Sequence, residues 1–518
     1  MNENKKRFVA SALSLIFAMS FLTTNVYASS DNTPPGDPPG GSAMGDPPGD
    51  PPDGAPGGQG GPGGGSSTSV SYTGATTIEA STTDSDSSYT STTGGENALL
   101  VSGGESTITN ITVTKSGDES DENSDFYGTN AAVLVYNDAT LTIKGGSVTT
   151  NGAHANGVFA YGTGTVNISD ATINTTANNS GGIMVTGGGT LNASNLTVET
   201  QGNSSAAIRS DRGGGTLTVD GGSYTTNGQG SPAIYSTADI TVNNANLTAT
   251  SSEGVVVEGA NSVTLNNTVL TDTNTSLNGQ SETYKNIFLY QSQSGDAAEG
   301  TSYFTANNST ITTNKGDTFY VTNTTSVIHL TNNAIVNNDS TGVLLRAESA
   351  AWGSSGSNGG KVTFNLSDQT AQGDIVVDSV STLAMTLADS STYKGTINGA
   401  NQAGNITLTL DENSVVVLTG DSYVDSLSNA VSDNSNIYLN GYSLYVGGTA
   451  VSANNGTAPE VTADSNAGAS GTVQTADNSG SGDCTTVLVI AGIVILLAAA
   501  GCAGYFVIKG RKNKAAAK

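Results

Sequence analysis

The chain has 518 residues, and 17 basic against 44 acidic side chains give it a formal net charge of −27 at neutral pH. A surface of that sign repels nucleic acid and anionic lipid headgroups, which excludes partners held by phosphate charge. Two cysteines in so long a chain exclude a disulfide scaffold and a cysteine-ligated zinc site.

Lys5, Lys6 and Arg7 precede an apolar run from Phe8 to Leu22, followed by Val26-Tyr27-Ala28. This is the pattern of a cleaved secretory signal over residues 1 to 28. In residues 29 to 66, ten of the twelve prolines fall between Pro34 and Pro62, in Asp-Pro-Pro-Gly units that grade into glycine. Such a composition cannot bury a core and predicts an extended leader.

Residues 67 to 448 repeat themselves. Val133, Val158, Ile183 and Ile208 stand 25 residues apart in short apolar runs, and Ile234 and Val255 continue the series. The spacing then loosens, with counterparts expected at Ile287, Phe319 and Val343, so those turns should carry longer loops. Each repeat holds a second alternating run, such as Val166-Asn167-Ile168 or Leu217-Thr218-Val219, and a third, such as Ile173-Asn174-Thr175. Three β-branched strands per repeat, with no helical periodicity, predict an all-β solenoid whose coils bury one another. Two positions beyond the last inward residue of the second strand stand Asp170, Asn195, Asn244, Asn267, Asn308, Asn332 and Asp368, with Gly145 and Gly221 in the same slot. These residue types tolerate a left-handed backbone, as one repeated tight bend requires, and stacked Asn side chains can bond from coil to coil.

A polar stalk is expected from 449 to 486. Val487 to Ile508 carries no charge and is long enough to span a bilayer as a helix. Lys509, Arg511, Lys512, Lys514 and Lys518 follow it, which places residues 509 to 518 in the cytoplasm. Cys484 and Cys502 would lie about 27 Å apart along such a helix and cannot bridge. With three basic residues in the signal and five in the tail, nine remain outside; only Glu3 is lost from the acids, leaving 43 and a net charge of −34. The expected setting is the surface of a Gram-positive-type bacterium, with one membrane pass. No Leu-Pro-x-Thr-Gly signal precedes the final helix, so covalent wall attachment is not expected.

Alternation sorts the first strand of each repeat into faces. The columns of Val133 and Val135 point inward. Between them Leu134, Phe159, Met184, Arg209, Tyr235 and Val256 point outward, with Tyr136, Tyr161, Asp211, Glu258 and Tyr290 beside them. One reading is an aromatic platform for sugar rings, in which Phe159, Tyr161 and Tyr235 stack and Arg209, Asp211 and Arg212 supply polar contacts. The other is that loops fold over this row and make it a second core. Asp118, Asp121 and Asp125 lie in the densest acidic run, a loop whose carboxylates are candidates for calcium. Counted as an EF-hand from Asp118, however, position six is Asn123 where that loop needs glycine.

The 25-residue coils, aliphatic columns and Asn-bearing bend resemble right-handed parallel β-helix proteins of the pectin-lyase-like superfamily, and within it adhesin-like bacterial surface proteins, over roughly residues 95 to 447. The resemblance implies a right-handed parallel β-helix of about 12 coils and a binding or adhesion role toward polysaccharide, glycan or matrix. It also implies an alternative, a polysaccharide lyase, since an arginine acts as base beside calcium in pectate lyases and Arg209 is available. The chain departs from the enzymes: His154 and His329 are its only histidines, and the paired Asp and Gly-His-Gly pattern of polygalacturonases is missing. Neither a cofactor nor catalysis is expected, and an envelope spacer is the third reading.

Overall fold

The computed structural model describes residues 70 to 461 apart from Gln280. The expected signal, leader, spanning helix and basic tail lie outside the described residues, as does the stalk beyond 461. Among the described residues no helix is long and apolar enough to cross a membrane.

The described chain is a parallel β-solenoid of about 15 turns. Twelve parallel strands, from Gly74–Ile78 to Ile375–Val377, form the first sheet. Val133, Val158, Ile183, Ile208, Ile234, Val255, Ile287 and Phe319 pair in one line across it. All are fully buried, as the inward column requires. Each such side chain contributes roughly 1.5–3 kcal/mol relative to exposure.

Two expectations need correction. The column continues to Leu345, not Val343, and then to Ile375. Val343, Leu344 and Leu345 are consecutive apolar residues, and the backbone NH of Val343 instead donates to Asp317 Oδ1 at 3.0 Å. The expected 12 coils fall short because one turn precedes the visible repeat, at Gly74–Ile78, and others follow at Ile397, Ser422 and Leu444. The late turns are shorter and place polar Ser422 where earlier turns place Val or Ile. Past residue 448, Thr449–Ala450 pairs antiparallel with Leu444–Val446, and Gln372 donates to the carbonyl of Val461, so the folded body runs on to 461.

The second and third faces explain the bend. In Thr165–Thr175 and Gly189–Thr200 a single strand serves both faces, broken only by Asp170 (φ 54°) and Asn195 (φ 51°). Every residue of the expected slot has positive φ, from 49° at Asn308 and Asp368 to 75° at Gly221. The side chains bond along the rod, Asn195 to Asp170 at 2.8 Å, Asn244 to Asp220 at 2.7 Å and Asn332 to Asn308 at 2.7 Å. An inner polar ladder escaped the sequence reading. The amide of Ser309 donates to Asn333, that of Asn333 to Gln369, and that of Gln369 to Ser391, at 2.8 to 3.1 Å. These buried groups satisfy one another from turn to turn, which is how polar residues are held inside.

Connections between the second and third faces hold two to four residues where they separate two strands, except for residues 430–436 in the last such turn. The long ones, residues 116–130, 273–284, 291–300 and 348–360, all adjoin a strand of the first sheet. Four long loops of the described residues therefore gather at one face.

Candidate functional site

Those loops decide between the two readings of the outward row. Leu134, Phe159 and Met184 are fully buried, and Arg209, Tyr235, Val256, Phe288 and Tyr320 are at most 3% exposed. The row is thus no open platform, a correction for Phe159, Arg209, Asp211 and Tyr235. The covering segments could not be read as cover because they lie outside the repeat and carry no period of their own. Tyr161 and Arg212 stay half-buried at the edge.

The cover has two parts. Near the N-terminal end, Leu100, Ala131, Leu134, Phe159 and Met184 form a satellite core rimmed by Tyr72, Tyr136 and Tyr161. The acidic loop lies on it and contains a helical turn, Asn123–Tyr127, where no helix was expected. The turn ends at Gly128 (φ 73°), whose backbone sits so close to the row that a Cβ there would meet Leu134 at 2.8 Å and the Phe159 ring at 3.0 Å. Farther along, Tyr235, Val256, Phe288, Tyr290 and Tyr320 form a second core against half-buried Trp352, whose ring centroid lies 5.3 Å from that of Phe288.

Arg209 sits between the two cores, in register with Met184 and Tyr235. Its Nη2 donates to Asp211 Oδ2 at 3.0 Å, and Nη1 lies 3.7 Å from Asp125 Oδ1. Burial pushes Asp211 up to about 7 even with the guanidinium beside it. Asp125 also meets His154 Nδ1 at 2.8 Å. Burial works against the imidazolium, but the hydrogen bond and charge of Asp125 outweigh it and hold His154 above its ordinary value. Arg212 bonds Asp296 Oδ1 at 2.7 Å and lies 3.9 Å from the centre of the Phe126 ring, so it clasps both covering loops. Glu258 accepts from Tyr235 at 2.5 Å, from Tyr290 at 2.9 Å and from Ser292. Burial raises its carboxyl.

The structure does not bring the calcium candidates together. Asp118 accepts from the amide of Ala153 at 2.8 Å, Asp121 from Asn123 at 2.9 Å, and Asp125 serves His154 and Arg209. Among the described residues no group of three or more His, Cys, Asp or Glu side chains is placed to hold a metal ion.

What the loops leave open is a polar groove of about 750 Å³ where the first sheet bends into the second. Its walls come from residues 291–293, 299–301, 323–325 and 353–361. Gln291 lies 8% exposed in it, its Nε2 donating to the carbonyls of Ser292 and Ala297 while its Oε1 has no partner. Asn323 (φ 51°) donates to the carbonyl of Gln291 at 2.7 Å, and its own amide to that of Asn358 at 2.8 Å, which ties the two walls together. Only Glu299 and Lys361 carry charge there. The sequence reading missed this groove, since amides and hydroxyls in loops of unequal length leave no pattern. No family model matches the chain, and neither a curated protein nor a solved structure matches it.

Proposed function

We propose that this chain is an exported, membrane-anchored surface protein that binds extended polymers, glycan or matrix, along the side of a β-solenoid. The observation that carries it is the gathering of four long loops of the described residues on the first-sheet side. In solenoids, insertions on one face often mark the binding face, and a bare stack would serve equally as a spacer. Export and anchoring rest on the signal pattern of residues 1 to 28 and the uncharged run from Val487 to Ile508. The adhesin-like members of the pectin-lyase-like superfamily supply the analogy, which is one of fold alone.

The lyase alternative draws less support. Arg209 is the arginine it would use, and it is 2% exposed between two carboxylates. A base must reach its substrate.

The purified chain, applied to an array of polysaccharides and matrix proteins, should bind a polymer without shortening it. Shortening would favour the enzyme, and no binding to any polymer would leave the spacer. Cells should hold the chain in their membrane fraction, and deletion of residues 484 to 518 should release it into the medium. Release of the undeleted chain would remove the anchor from the reading.

A further inference from the structure

The two ends of the rod differ. At the far end Thr449–Ala450 pairs antiparallel with Leu444–Val446 and covers its edge. At the near end Gly74–Ile78, Thr83–Ser85 and Ser88–Ser91 each have a parallel neighbour on one side only among the described residues. Open strand edges are templates for another chain, and a surface-anchored protein has copies of itself as neighbours. The first turn keeps the core pattern but changes its residues. The second-face column of Ile108, Ile143 and Ile168, each at most 2% exposed, begins at Asp84, and the first-face column of Leu99 and Val133 begins at the exposed Thr76. Tyr89 heads the third column, in line with Val113 and Val148, and its hydroxyl donates to Asp84 at 3.3 Å. Hydrogen bonds from the Ser87 hydroxyl and the Ser85 amide hold the Asp84 carboxyl below its ordinary value, so it is charged at neutral pH. From Val70 to Thr114 the chain carries the acids Glu79, Asp84, Asp86, Glu96 and Glu105 and no base.

We infer that the first turn is a cap against end-to-end association, in which the Asp84 carboxylate, at the head of an aliphatic column, keeps a second copy of this chain from adding to the rod. The inference is independent of what the side of the rod binds. Two copies meeting at this end about a twofold axis would set Gly74–Ile78 against its own equivalent, antiparallel, with the edges ~4.8 Å apart. Such a contact strips water from both Asp84 carboxylates where the turn supplies no cation, and it brings two like-charged ends together. An aliphatic residue in the same slot would instead carry the buried column across the junction.

The test uses the full chain in detergent, with light scattering after size-exclusion chromatography giving the protein mass over a range of concentrations. The native chain is compared with three variants. Thr76→Val with Asp84→Val completes both columns, Asp84→Asn removes the charge alone, and Glu79→Val removes an exposed acid of the same end outside the columns. Melting temperatures establish that each variant is folded. The native chain and Glu79→Val should stay monomeric. The double variant should dimerise at least about tenfold more tightly than either, with new amide protection in residues 74 to 91 by hydrogen exchange, and Asp84→Asn should fall between. A folded double variant that stays monomeric, a dimer without protection in residues 74 to 91, or equal association by Glu79→Val would overturn the cap. So would a native chain that already pairs through those residues. Should the double variant fail to fold, Asp84→Asn carries the test, and association no stronger than that of the native chain overturns the inference.

Discussion

Replacing Arg209 by Met tests whether charge holds the covering loops to the first sheet. Arg209 is 2% exposed and lies beside two buried carboxylates, 3.0 Å from Asp211 and 3.7 Å from Asp125. Methionine suits the space between Met184 and Tyr235, so the cavity term is small. Removing one partner of a buried ion pair costs about 3–5 kcal/mol, because the other charge stays behind. The pH dependence carries the finer test. Asp211 already stands at about 7, raised by burial, and loss of the guanidinium raises it further. An acid whose folded pKa lies above its unfolded value, near 4, contributes stability below that value and loses it as pH rises through the folded pKa. The penalty of Arg209→Met should therefore be greatest near pH 8 and shrink toward pH 4, where Asp211 holds its proton. Adding Asp125→Asn and Asp211→Asn should return more than half of it at pH 8. Urea unfolding midpoints, with hydrogen exchange in residues 208 to 211, would measure both effects. A penalty below about 1 kcal/mol at pH 8, or one equal at pH 4 and pH 8, would refute the electrostatic account.

Phe159→Ala should cost about 3–5 kcal/mol, since its ring is fully buried beneath Gly128; an unchanged melting temperature would mean the loop does not cover it. Asn244→Val places a β-branched residue at φ 54° and removes the bond to Asp220. A loss of about 2 kcal/mol or more is expected in thermal unfolding, and none would show that the bend is not set at this residue. Ile208→Asp should unfold the local turns while Thr218→Asp does little, because Ile208 points into the core and Thr218 away from it; equal tolerance by circular dichroism would place the register one residue off.

The fold was legible because a solenoid writes its core as a period. Each turn must present a buried residue to the same residue of its neighbours, so Val158, Ile183 and Ile208 recur together, and the left-handed bend selects Asn, Asp or Gly at every pass. Legibility fails where the physics permits substitution. Ser422 holds an inward position by accepting the amide of Ile397 at 3.0 Å, so a hydroxyl replaces a methyl group and the hydrophobic column disappears from view. Val343 and Leu345 share one parity, so three adjacent apolar residues offer two registers, and the pairing with Phe319 falls on Leu345.

The same limit accounts for the outward row. Alternation tells which side of a strand a residue faces, and it placed Phe159, Arg209 and Tyr235 outside the coil. What lies beyond the coil is set by loops that owe nothing to the period. An outward row of large apolar side chains in a Thr- and Ser-rich protein already argued for a covering partner, ligand or loop. Arg209 within that row favours loop over ligand, because a guanidinium among aromatics is tolerable only if carboxylates reach it. One of them, Asp211, is two residues away on the same strand end, where sequence could find it; the other, Asp125, arrives from a loop 84 residues earlier, within the acidic run that had suggested calcium. That run is therefore part of the cover, and its carboxylate at 125 is spent on Arg209 and His154. The groove shows the complementary case, since its amides and hydroxyls come from loops of unequal length and meet only once the chain is folded.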